Sequence, residues 1–182
     1  TSPMYEAHAT ILIKDEKKGV NDAEMLEALN VYTSKKIVEN EMVVLQSRAL
    51  MEKVVDRLHL YAAVYAPEDL GGKNMYNNSP VTIEAQDPKK IISMEAPVLF
   101  RLHPAKDKIS IDKTEYPLDR FVNTPYGVLK FIKTPFTASA DGALEYSFLL
   151  NNPTSVAAVL AKRVKTEPTN KISSVLDLSI QD

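Results

Sequence analysis

The spacing of apolar residues changes period several times along the chain, and each change marks an element. Tyr5, Ala7, Ala9, Ile11 and Ile13 alternate with polar positions, which predicts a strand with one face on a core. A charged turn from Lys14 to Gly19 follows. Asn21 and Glu24 fit a capping-box variant ahead of a short helix with Met25, Leu26 and Leu29 inside. From Ser34 to Leu58 the steps become three and four residues. Ile37, Val38, Val44 and Leu45 lead to Leu50, Met51, Val54, Val55 and Leu58, while Arg48, Glu52, Lys53, Asp56 and Arg57 take the wet side. Ser47 can pause and recap the helix, so two consecutive helices are expected, with Leu50, Val54 and Leu58 in the core.

After Tyr61 the period becomes two. Val81, Ile83 and Ala85 alternate, as do Val98, Phe100 and Leu102, and Ile109 with Ile111. Segments Tyr126 to Ile132 and Leu144 to Leu150 complete a set of short strands separated by Pro, Asn, Asp and Gly. Asn152-Pro153 then reads as an N-cap with proline in the first helical position, and Val156, Val159, Leu160 and Val164 as that helix's buried face. Leu176, Leu178 and Ile180 alternate in a closing strand. The fold class is α+β: a mixed β-sheet with helices packed on it and extra short strands in the middle region. The opening and closing strands should share one sheet, with the helices of residues 34–58 and 153–164 against it.

Proline sharpens the division. Eight of the 11 prolines lie from Pro67 to Pro135 and none between Pro3 and Pro67, so long helices belong to the early region only. The length of 182 residues suits a single domain, 1–182, large enough to hold a core without disulfide or metal. Net charge is only −2, and acids and bases are mixed: ten against eight over residues 1–60, nine against eight over 61–120, five against six over 121–182. No segment carries the basic field that nucleic acid requires. Cysteine is absent, which removes thiol catalysis and cysteine-ligated metals. The apolar runs Tyr61 to Ala66 and Val156 to Ala161 fall far short of the ~20 residues of a membrane span.

Candidate chemistry is sparse. His8, His59 and His103 have no partner at the spacing that puts two ligands on one helix face. His59 suits a helix C-terminus, where a partly charged imidazole is favoured. Gly71-Gly72-Lys73-Asn74 lacks the earlier glycine and the following Ser/Thr of a phosphate loop and reads as a turn. There is no nucleophile elbow. The carboxylate pairs Asp15/Glu16, Glu24/Glu27 and Glu39/Glu41 read as solvated charge, and so do the lysines at 17–18, 35–36 and 89–90 and the Lys162, Arg163, Lys165 cluster. The eight tyrosines are spread through the chain and read as core-edge residues with wet hydroxyls. Catalytic, cofactor-binding and metal-binding residues are all assigned as none.

Three stretches carry a resemblance. Tyr5, Ala7 and Ala9 running into Thr10-Ile11-Leu12-Ile13, the helix Ile37 to Arg48 with its Leu45-Gln46-Ser47, and Leu50, Val54, Val55, Leu58 and Leu60 followed by Tyr65 together resemble the extracytoplasmic domain of bacterial polysaccharide chain-length determinants (the Wzz type). The segment Ile172 to Ile180 is similar to the strand that precedes that family's long helices. The proline-rich middle departs from the family pattern. The resemblance implies a polysaccharide co-polymerase: an inner-membrane protein whose periplasmic domain forms a ring-type homo-oligomer. Such a protein sets the length of lipopolysaccharide O-antigen, capsule or exopolysaccharide chains made by a separate polymerase. Its partners would be copies of itself, the polymerase or growing glycan, and the membrane through flanking spans, with no nucleic acid, no cofactor and no enzymatic activity. The chain would then be a fragment of a larger membrane protein. Rival readings are a periplasmic adaptor or ligand-binding module, marked by a tyrosine-lined pocket, and a carbohydrate-active enzyme, marked by two carboxylates roughly 5–9.5 Å apart across a cleft.

Overall fold

A computed structural model of the chain describes residues 6–13, 36–67, 72–76, 78–139, 145–170 and 174–181. Among them are three helices and eleven strands: β1 (Glu6–Leu12), α1 (36–45), α2 (Arg48–Arg57), β2 (Ala62–Tyr65), β3 (Val81–Ala85), β4 (Val98–His103), β5 (Lys108–Ile111), β6 (Thr114–Pro117), β7 (Phe121–Thr124), β8 (Gly127–Lys133), β9 (Glu145–Leu150), α3 (Pro153–Arg163), β10 (Val164–Pro168) and β11 (Val175–Gln181). The α+β class holds. The strands form three sheets, ordered β1-β11-β10, β2-β9-β4-β5-β6 and β3-β8-β7, and every strand pairing is antiparallel where one mixed sheet is expected. The helix expected around Met25 lies outside the described residues. No described helix is long and apolar enough to cross a membrane.

The chain divides into two compact units, Thr1–Met51 with Ala157–Asp182, and Glu52–Val156. The first holds the β1-β11-β10 sheet. As expected, the opening and closing strands are neighbours, in register from Glu6↔Gln181 to Leu12↔Val175. The expectation that β1 has one face on a core fails. Ala7, Ala9, Leu178, Ile180 and Val164 share one face by register, yet both alanines are exposed; only Leu176 and Thr166 on that face are buried. Alternation of small side chains gives the strand period but too little apolar area to draw a covering layer over it.

The second unit is a two-sheet β-structure around an aromatic core. Alternate residues of β3, β4, β5, β8 and β9 point inward, and Ile83, Phe100, Leu102, Ile109, Leu129, Phe131, Phe148 and Leu150 are buried. Phe148 of one sheet meets Phe131 of the other edge-on at 6.2 Å between ring centres, a geometry that aligns ring edges with faces. Burial of each such side chain contributes about 1.5–3 kcal/mol. At one edge, Leu118 N–H donates to Asp107 O and Asp119 N–H to Phe131 O, which stitches the sheets together. Asp107 and Asp119 sit at φ 50° and 57°, a left-handed conformation that aspartate tolerates, and both carboxylates pair with Lys133 at 2.7 and 3.7 Å.

The helices begin where the sequence analysis places them. Ser47 Oγ accepts the Leu50 N–H at 3.2 Å and caps α2, and Asn152 Oδ1 accepts the Ser155 N–H at 3.2 Å and caps α3 ahead of Pro153. Their buried faces are rotated from expectation. In α2 Met51 and Val55 are buried, Leu50 and Val54 are half-buried, and Leu58 is 49% exposed. The last is explained by the end of the helix: Leu60 N–H bonds Val55 O, His59 N–H bonds Asp56 O, and His59 adopts φ 52°. This Schellman closure turns the chain away before Leu58 reaches the buried stripe. In α3 Pro153 and Ala157 are buried; Val159 is exposed, and Val164 already belongs to β10.

Candidate functional site

The three histidines are separate. His8 is exposed on β1 with its Nε2 3.4 Å from Glu6; the His103 Nε2 and the Ser110 hydroxyl are 3.0 Å apart between β4 and β5; His59 closes α2. No group of three or more His, Asp or Glu that could hold a metal ion occurs among the described residues. Asp15/Glu16 and Glu24/Glu27 lie outside them, while Glu39 and Glu41 lie on α1. Of the Gly71 to Asn74 stretch, Gly71 lies outside. The rest is a return turn: Ala66 N–H donates to Lys73 O, and Asn74 bridges to Tyr65.

His59 has a role that its position at a helix end does not announce. Its Nδ1 lies 3.1 Å from the Tyr61 hydroxyl, which accepts the Ala85 N–H at 3.0 Å. Tyr61 is fully buried, contrary to the reading of tyrosines as wet core-edge residues. The phenol accepts from Ala85 and shares a hydrogen bond with His59 Nδ1, so the chain of bonds ties the end of α2 to β3. Burial pushes the Tyr61 phenol above its ordinary range, the Ala85 amide opposes this, and the carboxylates of Asp56 and Glu84 add to it.

Beside this tie lies a groove of about 380 Å³ between the end of α2, β2, the start of β3 and the segment after β8. Leu58, Tyr76 and Phe136 line it and are respectively 49%, 55% and 42% exposed. The loops that carry them are pinned. Tyr76 N–H donates to Asn74 Oδ1 at 3.1 Å and Phe136 N–H to Thr134 Oγ1 at 3.2 Å, while the Thr134 hydroxyl donates to Ser79 O at 2.7 Å. The Thr137 hydroxyl donates to Pro80 O at 2.6 Å. Among the described residues no Asp, Glu, Lys or Arg lines the groove.

A second cavity of about 560 Å³ runs between the end of β3 and the start of β8, with Tyr126 and the Asp87–Lys90 ion pair, 2.9 Å, in its lining. The bond from Lys90 holds the Asp87 carboxyl below its usual range. Among the described residues neither cavity brings two carboxylates together.

Periodicity along the chain singles out no groove, because its walls come from four separated stretches with no shared motif. The only sequence trace is a pair of aromatics, Tyr76 and Phe136, in Asn- and Pro-rich turns rather than in alternating runs. No family model matches the chain, and no curated protein matches it.

Proposed function

We propose that this chain is the extracytoplasmic domain of a bacterial inner-membrane polysaccharide co-polymerase, acting by self-association and by contact with the glycan or its polymerase, without catalysis of its own. The single observation that supports this best is the pairing of β1 with β11, the two stretches that carry the opening and closing parts of the resemblance. Glu6 stands opposite Gln181 and Leu12 opposite Val175, so the two stretches meet along their whole length in one sheet. The test is sedimentation of the full-length protein in bilayer discs, together with the glycan profile of cells lacking it. Closed multi-subunit assemblies and loss of the modal chain length are expected. A full-length protein that stays monomeric in the bilayer, or an unchanged glycan profile, overturns the reading.

A second reading, a periplasmic ligand-binding module, is favoured by the aromatic-lined groove of the Glu52–Val156 unit. A stable monomer that holds a small ligand there would decide for it.

A further inference from the structure

Three aromatic rings are exposed among the described residues: Tyr76, Phe121 and Phe136. Phe121 has the Lys130 ammonium over its face at 5.5 Å, a cation–π contact that already occupies the ring. The other two both line the groove beside α2. Aromatic rings left in water forgo the free energy that their burial would supply, and two of them on pinned loops around one cavity form a prepared surface. The volume falls at the lower end of the roughly 300–1,000 Å³ of small-molecule sites.

We infer that this groove binds a short segment of neutral saccharide, with Tyr76 and Phe136 as stacking platforms. Sugar rings present apolar C–H faces and a rim of hydroxyls, and the lining answers both. Thr82, Asn74, Tyr76 and His59 belong to the same lining, and the Thr82 hydroxyl, the Asn74 amide nitrogen, the Tyr76 phenol and His59 Nε2 have no hydrogen-bond partner among the described residues. Among the described residues no charged side chain lines the groove, which matches an uncharged ligand better than phosphate or an acidic peptide.

An extended peptide added to a sheet edge is the main competitor, and the edges here are partly occupied. Val64 O accepts from Met75 N–H, the Ser79 hydroxyl donates to Val81 O, and the Tyr61 hydroxyl takes the Ala85 N–H. Strand addition needs those backbone groups free.

The inference deepens the co-polymerase reading, resting on its glycan contact for the ligand class, and names the groove that would make it. The experiment is amide chemical-shift titration of the isotope-labelled chain with maltohexaose, cellohexaose and chitohexaose, and with a neutral, Leu- and Val-rich octapeptide. Shifts centred on residues 58–60, 74–76, 82 and 134–136 are expected with at least one hexasaccharide. Tyr76→Ala and Phe136→Ala should each weaken that binding about two- to twelvefold, the value of an aromatic contact. Their circular dichroism should be unchanged, because both rings are exposed. Absence of shifts in the groove with all three sugars, shifts centred elsewhere, undiminished affinity in both variants, or tighter binding of the octapeptide would each overturn the assignment. Assembly of the full-length protein in bilayers is read separately, so a failed groove and a failed co-polymerase are distinguishable.

Discussion

Tyr61 concentrates more of the local chemistry than any other described residue. Its ring is buried, its oxygen satisfies an outward amide of β3, and its hydroxyl is hydrogen-bonded with His59. Removing the oxygen leaves the Ala85 N–H without a partner in a dry place. Tyr61→Phe should therefore cost about 1–3 kcal/mol, read as a lower denaturation midpoint at unchanged slope. The same residue predicts an alkaline limit. A phenol raised by burial stays protonated in the folded state while the unfolded chain releases its proton near pH 10, so the unfolded state binds fewer protons and stability falls as pH rises through that range. Denaturant melts between pH 8 and 11 should show this decline for the wild type and a shallower one for Tyr61→Phe. His59 contributes a backbone role as well, since its left-handed φ closes α2.

At the scale of elements, the capping residues and the strand alternations were legible from the sequence because both are local. Ser47 and Asn152 stand where their side chains meet the next turn's amides, and the inward sets of β3, β4, β5 and β9 alternate without interruption. Ser47→Ala should cost about 0.5–2 kcal/mol by thermal or chemical melting. What the sequence hid depends on tertiary context. The apolar stripe of α2 is wider than its buried face, so Leu58 counts as core by spacing and is exposed in fact. Val55→Asp should unfold the chain or leave it aggregated, whereas Leu58→Asp should move the midpoint by less than about 0.5 kcal/mol equivalent. The short strands β6 and β7 and the edge strand β10 were missed, as their inward residues are few and Pro117 and Pro168 end two of them. The groove was hidden for a related reason: its rings sit in turns, where no periodicity announces them.

At the scale of the whole molecule, protection from solvent is uneven. Strands β8 and β9 each have neighbours on both sides and bury alternate residues, while β1 has one neighbour and is exposed along nearly its whole length. Hydrogen exchange should thus be slowest at Leu129, Phe131, Phe148 and Leu150 and faster by orders of magnitude along Glu6–Leu12. Equal protection in both places would mean that the open face of β1 is covered in solution. The β1–β11 ladder has a further consequence, for force. Because Glu6 faces Gln181, tension applied to those two residues loads one rung at a time, and the strands should peel apart like a zipper toward Leu12↔Val175. Tension applied between Leu12 and Gln181 loads all seven rungs together in shear. Optical-tweezer handles at the two pairs of sites should give clearly lower rupture forces in the first geometry, so that these strands release under a pull at their shared end yet resist one along their length.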